Sequence, residues 1–176
     1  MKNITIILLL AAFAISANLE NDTKIGYVYM DLVLTNMEEA KQMNKVLDKF
    51  SAEKTAQLTK NTQFLNNKIQ EMMRKQKAGE LTDAGRIISE NEISDLKASI
   101  EKQARANEQE LYTKRIELLG PIAKKLEAAM DDVAATMGYK YVLNSSDGTG
   151  NSIVVVAPEA DDLTQEVMKE LGIKYE

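Results

Sequence analysis

The spacing of apolar residues changes several times along this 176-residue chain. After the short positive start Met1-Lys2-Asn3, residues 4–14 are apolar except for Thr5, and small residues follow at Ala14, Ser16 and Ala17. That order is the signature of a cleaved secretory signal. The run is well short of the ~20 residues that a membrane-spanning helix needs. Residues 1–17 are therefore read as a signal peptide, cut after Ala14, Ser16 or Ala17. Lys24 to Met30 is rich in β-formers and of strand length, with Ile25, Tyr27 and Tyr29 on one face. From Asp31 to Ala78 the chain has no Pro and no Gly, which predicts one long helix.

Within that helix Leu58, Leu65 and Met72 recur every seven residues, with Thr62, Ile69 and Gln76 in the alternating slots. Met43, Val46, Leu47 and Phe50 form a denser stripe before them. The pattern is a narrow apolar seam diluted by Thr and Asn. Gly79 and Gly85 mark a turn. A return helix is predicted from about Arg86 to Leu119, with Ile93, Ile100, Ala104, Leu111 and Leu118 on its seam and Leu96 beside it. Asn107 and Lys114 occupy two of its slots. Two such segments around one turn predict an antiparallel helical hairpin, each arm roughly 50–65 Å long.

Gly120-Pro121 predicts a kink or a restart. Ile122, Leu126, Ala129, Met130 and Val133 mark a strongly apolar face, and Gly138 is placed as a C-cap. Tyr139–Asn144 and Ile153–Val156 read as strands separated by turn residues. Asp162-Leu163-Thr164-Gln165 resembles a capping box opening a last helix to Leu171. The strands lie at the two ends of the mature chain, so a sheet forms only if the hairpin brings the ends together. The predicted class is α+β: a small β-sheet body, residues 18–40 and 117–176, and a helical arm, residues 41–116.

Composition narrows the function. The chain has no His, no Cys and no Trp, and a net charge of -5. Imidazole bases, thiolate nucleophiles, disulfides and His- or Cys-based metal sites are excluded. The negative charge argues against nucleic acid as a partner. Residues 117–176 carry five Lys against eleven acids, whereas Lys68, Arg74, Lys75, Lys77 and Arg86 cluster around the turn. That mildly basic tip is usually a solvated loop, and a weak contact with anionic membrane lipid is the alternative. Asp131-Asp132 and Asp161-Asp162 read as solvated or capping carboxylates, and Gly148-Thr149-Gly150-Asn151 as a hairpin turn rather than a phosphate loop. The chain reads as no enzyme, with no cofactor and no metal.

The chain resembles the Skp/OmpH family of periplasmic chaperones. The resemblance is carried by Lys24-Ile25-Gly26-Tyr27-Val28, by Pro121-Ile122 through Val133-Ala134, Gly138-Tyr139 and Tyr141-Val142-Leu143, and by Asp162-Leu163-Thr164-Gln165-Glu166-Val167. It implies a homotrimer with a β-rich hub and three hanging arms. It also implies that unfolded outer-membrane β-barrel precursors are held in the cavity between the arms, in the periplasm and without ATP. This chain departs from its basic relatives in being acidic.

A holdase must bind many sequences weakly. Scattered Met, Leu and Phe in a polar field suit that task, and three arms add avidity. Phe64, Leu65, Ile69, Met72 and Met73 are the first candidates for client contact. Leu65 and Ile69 serve packing more readily, whereas Phe64 and Met73 lie off the seam. Tyr27, Val28, Tyr29, Ile153, Val154, Val155 and Val156 are assigned to the body core and the trimer interface. The competing function is a structural coiled-coil spacer of the envelope, which would call for a drier, unbroken Leu/Ile seam.

Overall fold

The protein was analysed as a computed structural model describing residues 23–147, 149 and 151–174. The expected signal peptide and two glycines of the 148–151 turn lie outside these residues. Strand β1 (Ile25–Val28) leads directly into helix α1 (Met30–Asn36). Helix α2 spans Glu38–Lys77 and helix α3 spans Asp83–Met137. Strand β2 (Tyr141–Asn144), a 3-10 turn at Glu159–Asp161 and helix α4 (Thr164–Glu170) complete the described chain. Contacts divide it into two compact units: residues 34–127, and the residues on either side of them.

In the unit formed by the chain ends, β1 and β2 pair in parallel, Ile25 opposite Tyr141 and Val28 opposite Asn144. The expected sheet between the two ends is therefore present. A parallel pair needs a crossover rather than a hairpin, and everything between Val28 and Tyr141 supplies it. The far edge of β1 is also covered. Leu163 donates its N–H to the Tyr27 carbonyl at 2.8 Å, and Tyr29 donates to the Thr164 hydroxyl at 3.0 Å. Asp162 accepts from both the backbone N–H and the hydroxyl of Thr164. The expected capping box is not formed: the residue before α4 is Leu163, with no side-chain cap, and Asp162 instead bonds Thr164 in a tight turn that ties the start of α4 to the sheet. Val28, Val33, Leu163, Val167 and Met168 are fully buried.

Two glycines have specific reasons. Gly138 follows the last residue of α3 at φ +76, where Tyr139 N–H closes back on the Ala134 carbonyl at 2.9 Å. Gly26 allows close approach: a Cβ there would lie 2.6 Å from Leu163 Cδ1 and 3.1 Å from its Cγ.

Four expectations are corrected. The helix expected from Asp31 to Ala78 is two helices, because Met37 is extended (φ -66, ψ 128) and almost completely buried. Burying that thioether outweighs one turn of helical continuity. The return helix does not restart at Gly120-Pro121. It runs unbroken to Met137, with Ile122 and Leu126 buried just past the proline. One missing N–H costs about 3 kcal/mol, which two buried side chains offset. Gly85 sits inside α3 rather than in the turn, and its N–H donates to the capping Thr82 hydroxyl at 3.1 Å. Ile153–Val156 is not a strand, since its β-branched run pairs with no strand among the described residues. It is held at its start, where Ile153 and Val154 N–H donate to the Ser145 carbonyl, the Val154 carbonyl accepts from the Ser152 hydroxyl, and Ser146 and Ser152 form a single bridge.

The Gly26→Ala variant is expected to lose about 1–3 kcal/mol, because Leu163 is buried and has nowhere to move. A thermal melt lowered by several degrees is the expected reading; an unchanged melt would show that Leu163 is loosely packed. Burial raises the pKa of the Tyr27 phenol, aided by the nearby Asp162 carboxylate. A raised folded pKa means that the stabilisation is intact below the ordinary value of ~10 and is lost as pH rises through the folded value. Tyr27→Phe should therefore flatten the alkaline fall in stability, measured by urea unfolding at a series of pH values.

Candidate binding surface

Within residues 34–127, α2 and α3 touch along a narrow seam. Ala40, Leu47 and Leu65 are the buried residues of α2, while Phe50, Leu58, Ile69 and Met72 are half-buried. On α3, Ile93, Leu96, Ile100, Ala104, Asn107, Leu111, Lys114 and Leu118 are all half-buried, so each residue read onto that seam is found there. On α2 the reading holds at Leu58, Leu65, Ile69 and Met72 and slips at Thr62 and Gln76, which are exposed. Thr62 is exposed and turns its hydroxyl back to the Leu58 carbonyl, and Asn61 takes the inward slot. A helix with 3.6 residues per turn drifts against a strict seven-residue count, which explains the slip.

Polar rungs cross the seam. Asn61 donates its amide to Gln103 at 2.7 Å. Lys54 pairs with Glu110, Lys68 with Glu92 at 3.5 Å, and Glu39 with Lys125. The Lys125 ammonium holds the Glu39 carboxyl below its ordinary pKa, chiefly by its hydrogen bond. These pairs are half-exposed, so each contributes at most about 1 kcal/mol. They fix register more than they add stability.

The five proposed contact residues separate by burial. Phe64 and Met73 are more than half exposed, whereas Leu65 is 8% exposed and Ile69 and Met72 lie between. Sequence reasoning missed other exposed apolar side chains. Tyr112, Ile116 and Leu119 of α3 lie at i, i+4 and i+7, on one face away from the seam. That spacing was legible, but the brighter seam pattern masked it. Also missed was a groove of about 660 Å³ lined by Met43, Val46, Leu118, Pro121 and Ile122, with Glu38, Glu39 and Lys125 at its rim. It depends on Pro121 lying inside a continuous helix, which the expected restart precluded.

At the turn, four of the five basic residues have carboxylate partners. Lys68 faces Glu92, Arg74 faces Glu80, Lys75 faces Glu71 and Arg86 faces Glu90. Lys77 has no ion pair among the described residues.

In the other unit, Tyr27 and Val28 are buried, and the Tyr27 ring meets Tyr29 edge-on with centroids 5.7 Å apart. The outward face of the sheet is apolar: Ile25, Tyr29, Tyr141 and Leu143 are all about half exposed. Ile153 is about as exposed as Tyr141, Val155 and Val156 are more exposed still, Val156 at 91%, and Val154 is half-buried. Soluble monomers rarely leave such a patch uncovered.

Among the described residues there is no cluster of metal-ligating side chains and no helix long and apolar enough to cross a membrane. What the described surface offers is apolar contact set among charges. The chain belongs to the OmpH-like family: the family model described as "Outer membrane protein (OmpH-like)" matches residues 24–171. Its fold is similar to that of a crystal structure from Caulobacter crescentus CB15 described as a "putative outer membrane chaperone (OmpH-like)", with a TM-score of 0.68. The two chains are 13% identical, and the match covers 85% of this chain and 83% of that one. No curated protein matches the chain.

The Asn61–Gln103 rung gives a direct test of the seam. Asn61→Leu alone strands the Gln103 amide and should cost about 1 kcal/mol. The double variant with Gln103→Leu should recover that loss or exceed wild type. A double variant less stable than both single variants in urea unfolding would reject this account.

Proposed function

We propose that the protein is an ATP-independent holdase that keeps unfolded outer-membrane β-barrel proteins from aggregating in the periplasm. The observation that carries the reading is the set of exposed apolar side chains on α2 and α3, among them Phe64, Met73, Tyr112 and Ile116, on helices otherwise rich in polar and charged residues. Such contacts are individually weak, so a client is held and also released. Membership of the OmpH-like family supports the same reading.

In this proposal residues 41–116 form an arm and residues 18–40 with 117–176 form the body. The arm is an antiparallel hairpin. In support, partner numbers fall along α3 as they rise along α2, from Glu39–Lys125 through Lys54–Glu110 to Lys68–Glu92. Three bodies associate through the apolar sheet face and Ile153–Val156, and clients lie between the arms. Phe64 and Met73 are the leading contacts among the five residues named, and Leu65 serves the seam. Ion pairing of most tip cations leaves only a small charge for anionic lipid.

The test dilutes a urea-unfolded β-barrel protein into the purified mature chain and follows light scattering and complex mass. Suppressed aggregation with three chains per complex is expected. Phe64→Ser with Met73→Ser should weaken suppression several-fold while the helical circular dichroism stays unchanged. A trimer that suppresses nothing would point to a structural spacer.

A further inference from the structure

We propose that one face of α2, from the groove beside Pro121 to Phe64, is a track for a single extended, amphipathic strand of unfolded polypeptide that seats an apolar side chain in the groove and a basic residue at its rim. The proposal rests on the holdase reading above and names the segment such a protein would hold.

The groove lies wholly within residues 34–127 and, at about 660 Å³, is of the size that takes ligands. Its walls are apolar, and Val46 stands 44% exposed beside it. Its rim is not neutral. Lys125 answers Glu39, but Glu38 accepts only an amide from Gln42 at 2.9 Å and has no ion pair among the described residues. A carboxylate beside an apolar wall complements a cation next to an apolar side chain.

The same helix face continues beyond the groove. Val46 and Phe64 are eighteen residues apart, which is five whole turns, so they point the same way about 27 Å apart. Phe50 lies near that line. Both phenylalanines carry a lysine over the ring, Lys54 at 5.1 Å and Lys68 at 6.0 Å. An extended chain rises about 3.3 Å per residue, so about eight residues cover this distance. A strand that crosses an outer membrane has about 9–11 residues with apolar side chains at every second position. One such strand spans the track from the groove to the exposed Phe64 ring.

The test uses the mature full-length chain and two labelled peptides about ten residues long, each alternating Leu or Tyr with Ser. One carries Lys beside its first apolar residue and the other carries Glu there. The Lys peptide should bind more tightly by fluorescence anisotropy, and Glu38→Lys should invert that preference. Val46→Glu, at a site exposed enough to keep the fold, should weaken the Lys peptide roughly tenfold. Val46→Ser replaces it if circular dichroism shows a disturbed helix. Unchanged affinity in the Val46 variant, or an unchanged preference in Glu38→Lys, overturns the proposal. So does a Val46 variant that alters complex mass but not peptide affinity, since the groove would then be a contact between copies. If wild type still suppresses aggregation in any of these cases, the holdase reading stands without the track. If wild type suppresses nothing, both fall.

Discussion

The seam between α2 and α3 is the constraint on which the long helices depend. Isolated helices of ordinary composition are marginal in water, and their stability comes from burying one face. Here the buried stripe is thin, with Leu47 and Leu65 inside and mostly half-covered residues around them. An amide pair and several half-exposed ion pairs take positions that Leu would fill in a tighter coil. Register is held by polar specificity while the dry area stays small. Apolar residues left off the seam are consequently free to meet other molecules.

The chain ends solve a different problem. A two-stranded parallel sheet of four residues per strand does not stand alone. It is supported on one edge by the Asp162–Thr164 segment and on one face by Leu163, Val167 and Met168. Its other face is apolar and only partly covered: Tyr27 is buried there, while Ile25, Tyr141 and Leu143 stay about half exposed. Val155 and Val156 are left open as well, at 84% and 91% exposure.

Much of this was legible in the sequence. The strands near residues 25 and 141 at the two chain ends, the C-cap at Gly138 and every seam position named on α3 follow from spacing and turn chemistry. The errors came from local rules overruled by burial. Pro121 looked like a break, but Ile122 and Leu126 hold the helix through it. Met37 looked helical, but its buried side chain interrupts the helix. Ile153–Val156 looked like a strand from propensity alone, and propensity does not supply a partner edge. The groove could not be read because it is made by residues about eighty positions apart in sequence, Met43 and Val46 against Leu118 and Ile122.

The parallel pairing of β1 with β2 has a temporal consequence. A chain made from its N-terminus produces β1 first and the partner strand only after all of α3. At about 5–20 residues per second, that interval lasts several seconds or more. Throughout it, Tyr27 and Val28 have no completed core to enter. The newborn molecule is itself a long polypeptide with a bare, sticky strand near its leading end, and it must avoid premature partners until its own last fifth arrives.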